Sequence, residues 1–194
     1  MENKERTLLL ILGRTASGKD SLVNKLCERT ELKAITSYTT RPRRENEGDT
    51  HIFTTEDTYE EMRSEGKIAA YTEISGYHYW TTTDQLYDND LYIIDYKGMQ
   101  TLKLLNLPNI RFVTVFVNTP DDVREARALS KRKDNKLVFR KRNLNEAAQF
   151  REMLKNADFD YSISNIDFAK AYSVLRWIAE IEGCWKNHNI EREE

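Results

Sequence analysis

The sequence predicts an α/β fold around a parallel sheet, and three observations predict it. A continuous apolar run ends in a glycine-rich turn that opens a helical pattern. Apolar strands and amphipathic helices alternate again through the second half of the chain. Between these parts lies a stretch of short β-rich pieces around one helix. The 194 residues suit one domain with a small inserted lobe. A chain of this length buries roughly 70% of its unfolded surface and needs no disulfide or metal to hold it.

The elements follow in order. TLLLILG (7–13) is apolar on both alternating faces, as a strand buried in a parallel sheet is. Residues 19–28 carry Leu22, Val23, Leu26 and Cys27 at helical spacing. HIFT (51–54), KIAAYTE (67–73) and YHYWTT (77–82) read as short strands. The helix among them is TEDTYEEMRSEG (55–66), with Thr55 placed to cap it and acids in its first turn. The alternation then resumes with strand LYIID (91–95), a helix near 99–105 and strand RFVTVFV (111–117). Helices over 121–131 and about 136–156, strand YSIS (161–164) and a helix over 168–182 complete the set. Successive βα units imply parallel strands with right-handed crossovers. The predicted division is a core over about 7–35 and 83–184, an inserted lobe over 36–82 and a frayed tail over 185–194.

Composition narrows the function classes. Hydrophobic residues make up 39% and charged residues 32%, with a net charge of −2. That small sum hides local imbalance. Residues 124–142 hold nine Lys or Arg against two acids, and RPRR (41–44) adds three Arg. Two separate basic patches on a near-neutral chain suit a small anionic ligand better than a long nucleic acid. MENKERT lacks the apolar core of a signal peptide. The aliphatic run 8–12 is too short to cross a bilayer. Cys27 and Cys184 have no metal spacing and read as thiols of a reducing compartment. A cytoplasmic protein with no nucleic-acid or membrane partner is expected. Monomer and homodimer both stay open.

The chemistry begins at GRTASGKDSL (13–22). Gly13, Gly18 and Lys19 fit the phosphate-binding pattern G-x-x-x-x-G-K-[ST] in the strand–loop–helix context it requires. Main-chain N–H groups of Arg14, Thr15, Ala16, Ser17, Gly18 and Lys19 would form a nest for phosphate oxygens, and Lys19 would bring a full charge to them. Asp20 stands where the pattern has a hydroxyl for Mg²⁺. A carboxylate is a hard ligand that Mg²⁺ accepts, so Asp20 is the metal candidate, directly or through water. Ser21 is turned ~100° around the helix and substitutes poorly.

The next segment, SYTTRPRRENEGDTHIF (37–53), together with the loop, resembles the guanylate kinases and their relatives. The matching residues are Ser37, Thr39–Thr40–Arg41, Arg44, Glu47 and His51. Arginines three apart can clamp one phosphate through paired donors. GYHYWTT (76–82), IIDYKG (93–98), the run from Asp121 to Leu144 and SNIDFAKA (164–171) extend the resemblance over about residues 7–182. It implies a three-layer P-loop NTPase fold with a parallel central sheet, an inserted acceptor-binding lobe and a short helical lid over about 124–142. It implies Tyr79 and Thr81 at the acceptor phosphate and base, Ser37 and Asp95 at the base, and Asn165 near adenine. Arg127, Arg132 and Arg142 would be lid arginines that neutralise the transferring phosphoryl. Arg124, Arg127 and Lys131, at i, i+3 and i+7, are expected to form one basic stripe.

Four departures qualify the likeness. Asp20 is the first. Ala70 falls where the family places a guanine-reading Glu, and Thr72 but not Glu73 shares its strand face. His51 replaces a Tyr and Trp80 a Gly, and Ile93 takes the first acidic position of the strand end, leaving Asp95. Ribose 1,5-bisphosphate kinases resemble this chain in the GKDS loop, the His and the missing Glu. The leading expectation is transfer of the ATP γ-phosphoryl group, with Mg²⁺, to a nucleoside monophosphate, GMP or dGMP first. The sugar-phosphate kinase is the alternative within the fold. A non-catalytic binding module is the alternative outside enzymes, although such modules erode the loop that here keeps Gly13, Gly18 and Lys19.

Overall fold

The computed structural model describes residues 5–44, 48–130 and 135–185. Strand β1 (Arg6–Leu12) leads into helix α1 (Lys19–Arg29). A small lobe follows: β2 (Tyr38–Thr39), β3 (Ile52–Phe53), α2 (Glu56–Ser64), β4 (Ile68–Ile74) and β5 (Tyr77–Thr82). The chain returns through α3 (Thr83–Asp88), β6 (Leu91–Ile93), α4 (Tyr96–Lys103) and β7 (Ile110–Asn118). Helices α5 (Asp121–Ser130) and α6 (Lys136–Asn156), strand β8 (Tyr161–Ser164) and helix α7 (Phe168–Ile181) finish it.

The central sheet has the order β6-β1-β7-β8 and is parallel throughout. A single parallel bridge, Ala34 to Leu91, extends its β6 edge. Period two, with both faces covered, explains the nearly continuous apolar runs of 8–12 in β1 and 112–117 in β7. Leu8, Leu10, Leu12 and Phe116 join one core cluster with Met99, Leu102, Phe150 and Met153 of α4 and α6. Leu9, Ile11, Val113, Val115 and Val117 face the other way, onto Leu22, Val23 and Leu26 of α1 and Leu175 and Ile178 of α7. The result is helix, sheet, helix: three layers with two cores.

The second sheet, order β3-β2-β5-β4, is drawn from residues 38–82. Strands β4 and β5 form a hairpin through Ser75 and Gly76, both at positive φ (56° and 79°). That is the two-residue turn whose twist matches its strands. One face of this sheet is aromatic: Tyr38 stacks on Trp80, Tyr59 of α2 stacks on His78 at 3.9 Å, and Trp80 reaches Met62. The opposite face carries Thr39, Tyr79, Thr81, Ala70 and Thr72. Ala69 and Ala70 enter the core cluster of Tyr92, Ile94, Tyr96 and Met99, so β4 lies against the end of β6 and the start of α4.

Three features differ from the sequence expectation. Strand β2 (Tyr38–Thr39) is an additional element. So is helix α3. Its capping box, with the Thr82 side chain accepting from Gln85 N and the Gln85 side chain from Thr82 N, was legible as T-x-x-Q. Helix α4 begins at Tyr96 because Asp95 caps it, accepting from Gly98 N. Gln85 also closes the lobe's neck: its Nε2 donates to Thr36 O (2.9 Å) and its Oε1 accepts from Thr81 Oγ1 (2.7 Å). Cys27 and Cys184 are unbonded and half-buried. No described helix is long and apolar enough to cross a membrane. The tail from 186 lies outside the described residues.

Candidate active site

Parallel strands deliver their successors to one edge, and the site is built there. Gly13 follows β1, Asp95 follows β6, Thr119 follows β7 and Asn165 follows β8. The chain turns from β1 into α1 through a loop that needs both its glycines. A Cβ on Gly13 would sit 2.5 Å from Ser17 Oγ and 3.0 Å from Val117 O. Gly18 has φ 87°, and a Cβ there would meet Asn165 Nδ2 at 2.5 Å. Ala16 also takes a positive φ, 60°, a left-handed conformation costly for a residue with a side chain.

Distant side chains hold that loop open. The Ser17 carbonyl accepts from Asn165 Nδ2 (2.7 Å), Thr119 Oγ1 (3.0 Å) and an Arg127 nitrogen (3.3 Å). Thr15 N donates to Glu146 Oε2 (2.7 Å), and Thr15 O accepts from Arg124 (3.1 Å). Thr15 N is taken by Glu146 and Ser17 N by Arg14 O (3.0 Å), so the loop's remaining amides are the ones left to meet an anion at the start of α1. Ser17 Oγ and Asn165 Oδ1 are buried without a hydrogen-bond partner among the described residues. Orphaned polar atoms beside such a loop fit a site that binds a polar ligand.

Lys19 is the first residue of α1 and one-fifth exposed, its Nζ 3.4 Å from Asp20 Oδ2. Asp20 is 70% exposed in the first turn, where the helix dipole favours a carboxylate. Among the described residues no group of three His, Cys, Asp or Glu gathers to hold a metal. The Asp20 carboxylate is a hard oxygen ligand of the kind Mg²⁺ accepts. Ser21 is exposed, on the next position round the helix.

On the lobe, Arg41 is buried to 8% exposure. Its Nε donates to Tyr79 OH (3.0 Å), its NH1 to Pro42 O, and its guanidinium lies 5.3 Å from the Phe53 ring centre. His51 meets Tyr79 edge-on at 5.6 Å. Arg41, Tyr79, His51 and Phe53 thus form one cluster, with Arg44 exposed nearby in sequence. Thr81 is fully buried and its hydroxyl is given to Gln85. Ala70 (1% exposed) and Thr72 (7%) are buried on the Tyr79 face, while Glu73 is exposed. Ser37 is half-buried, and its carbonyl accepts from Ile52 N (2.9 Å). Burial pushes the Asp95 carboxyl above its ordinary pKa, against the N–H groups of Gly98 and Lys97 that favour its charge.

The basic stripe is corrected. Arg124 is fully buried, not part of a solvated stripe with Arg127. Its guanidinium bonds Thr119 O, Thr15 O, Asp121 Oδ1 and Asn143 Oδ1. Spacing alone could not reveal this, because the acceptors come from three other segments. Arg142 is half-buried in α6, one residue before Asn143. Lys131, Arg132 and Glu47 lie outside the described residues. Asn143, Glu146, Thr119 and Gln85 also contribute, and of these only Gln85 carries a local sequence signal, the T-x-x-Q capping pattern.

A glycine-lysine loop at the carboxyl edge of a parallel sheet, facing a small lobe with a buried arginine, defines the class: a nucleotide-binding α/β phosphotransferase. The guanylate kinase family model matches residues 5–182, and the chain belongs to the guanylate kinase family, a family of nucleoside monophosphate kinases. It is 30% identical over 181 residues to a guanylate kinase of Legionella pneumophila, covering 88% of this chain and 84% of that protein. It is 29% identical over 188 residues to one of Escherichia coli, covering 91% and 88%. The crystal structure of guanylate kinase from Anaplasma phagocytophilum aligns with TM-score 0.64 at 25% identity, covering 95% of this chain and 89% of that one.

Proposed function

We propose that this protein transfers the γ-phosphoryl group of ATP to the phosphate of a nucleoside monophosphate, with GMP or dGMP as acceptor. The observation that carries the reading is the pairing of an intact phosphate loop, with Gly13, Gly18 and Lys19 in place, with a buried Arg41 bonded to Tyr79 on the lobe. The acceptor oxygen is already anionic, so no strong general base is needed. Catalysis is positioning and charge neutralisation.

In this reading the amides between Arg14 and Lys19 that are not taken within the protein, with the Lys19 ammonium, hold the donor's phosphates. Asn165 steadies the loop and presents Oδ1 to the nucleotide. Arg41, Arg44 and Tyr79 grip the acceptor phosphate, with Glu47 and His51 supporting them. Ser37, Thr81 and Asp95 line the base. Arg127, Arg132 and Arg142 belong to a lid over about 124–142 that brings positive charge to the moving phosphoryl. Asp20 would hold Mg²⁺, which when bound offsets charge on the polyphosphate. The setting is cytoplasmic, with small molecules as partners.

A phosphorylated sugar such as ribose 1,5-bisphosphate is the second reading. Ala70 favours it: the buried strand position that could carry a base-reading carboxylate carries a methyl group. Incubation with labelled ATP and a panel of GMP, dGMP, AMP, UMP and ribose 1,5-bisphosphate separates the two. Label entering GMP or dGMP supports the first reading; label entering only the sugar phosphate replaces it; label entering none removes both. In the same assay Asp20→Ala should need several-fold more Mg²⁺ for half-maximal rate. An unchanged magnesium dependence would refute its metal role.

A further inference from the structure

Two arginines lie behind the phosphate loop in an arrangement that the proposed reaction does not by itself require. Arg124, fully buried on α5, must satisfy its guanidinium inside the protein. It does so with two main-chain carbonyls, Thr15 O (3.1 Å) and Thr119 O (3.2 Å), and two side chains, Asp121 Oδ1 and Asn143 Oδ1 (both 2.7 Å). Arg14, inside the loop, converges on the same two side chains. It donates to Asp121 Oδ1 (3.1 Å), Asn143 Oδ1 (2.7 Å) and Asn143 O (3.1 Å).

One amide oxygen of α6 therefore takes hydrogen bonds from both guanidiniums. One turn further along α6, Glu146 accepts from Thr15 N. Thr15 is held at its carbonyl by α5 and at its amide by α6. Two residues later the Ser17 carbonyl is held by Thr119, Asn165 and Arg127. Ala16, at φ 60°, spans two fixed points. A residue with a side chain keeps such a conformation only where its surroundings over-determine it, and these bonds do so.

Resting on the kinase reading above, we propose that Arg124 and Asn143 are positioning residues for phosphoryl transfer. They tie the phosphate loop to α5 at Arg124 and to α6 at Asn143, the two ends of the lid, so that the loop and Arg142, next to Asn143, hold a fixed relation. Neither touches a reacting atom in this proposal. Misplacement by about 1 Å is worth about 10²-fold in rate, which is the scale such a frame protects.

The test uses the full chain. Arg124→Met keeps the length and apolar packing of the stem but removes all four donor contacts. Asn143→Leu removes the shared acceptor, and Asn143→Asp keeps one. The expected result is a kcat loss of about 10- to 100-fold in Arg124→Met and Asn143→Leu with acceptor KM within about twofold. Asn143→Asp should retain most of kcat, and the double variant Arg124→Met/Asn143→Leu should be no worse than the poorer single one. Amide hydrogen exchange over 14–19, measured without ligand, should quicken in the two damaging variants. If Arg124→Met does not fold, the Asn143→Leu and Asn143→Asp pair decides the matter alone. Equal kcat in that pair, with equal exchange over the loop, overturns the proposal. If wild type phosphorylates none of the acceptors while loop exchange still responds, the kinase reading falls and the frame stands.

Discussion

The phosphate loop and the inserted lobe are held in opposite ways. The loop, 13–20, is secured by side chains from α5, α6 and the turns after β7 and β8, more than 100 residues away in sequence. The lobe draws its own sheet from 38–82, closes its hairpin with Ser75 and Gly76, and packs its outer face from Tyr38, Tyr59, His78 and Trp80. The first is a polar scaffold assembled from the whole fold; the second is a local aromatic one. Both regions take positive φ, at Ala16 and Gly18 in the loop and at Ser75 and Gly76 in the hairpin; the contrast teaches that the hairpin keeps it by local strand pairing and the loop by supports from across the fold.

Mutations can break this contrast at either end. The largest effect is expected from Lys19→Ala, which removes a charge aimed at the donor's phosphates and none of the loop's supports. Transfer should fall by at least about 10²–10³-fold with the melting temperature nearly unchanged, read by a coupled assay and calorimetry. Arg41→Ala acts on the lobe alone. Loss of a charged hydrogen-bond donor should raise the acceptor KM by roughly 10-fold or more and leave the KM for ATP unchanged. If the acceptor KM does not move, the clamp at Arg41 is wrong.

Asp95→Asn gives the smallest effect and sharpens the comparison where core meets lobe. Burial raises the folded-state pKa of Asp95, so its charge opposes folding at neutral pH, and the penalty is relieved as pH falls toward that raised value. Asparagine caps a helix as well as aspartate does. The variant should therefore be more stable than wild type at pH 7, with the gap closing as pH drops toward 4. Denaturant melts across that range measure it, and a gap that widens on acidification contradicts the assignment.

The same contrast explains what the sequence disclosed. Strand β1, its loop and α1 were legible because apolar run, glycines and helical period are neighbours. Ala70 and Thr72 were correctly placed on one face, as period two requires, and Glu73 on the other. Helix α3 was readable through Thr82 and Gln85 but is short enough to pass as a turn. Arg124 was misassigned because i, i+3, i+7 spacing describes a stripe and says nothing of what covers it. The acceptors that bury it, Thr15 O and Asn143 Oδ1, are brought in by tertiary folding, and no local pattern encodes them. The partnership of Asn165 with Ser17 O was hidden for the same reason.

One side chain at the lobe's neck has a consequence for how this architecture can be altered. Gln85 bonds Thr36 on the way out and Thr81 on the way back, so the excursion between them begins and ends at a single staple. Strand β4 adds a second tie, because Ala69 and Ala70 enter the core with Tyr92, Ile94, Tyr96 and Met99. A longer turn between β4 and β5, outside both ties, costs the host only the slowly growing entropy of a longer closed loop, about 0.6 kcal/mol per doubling.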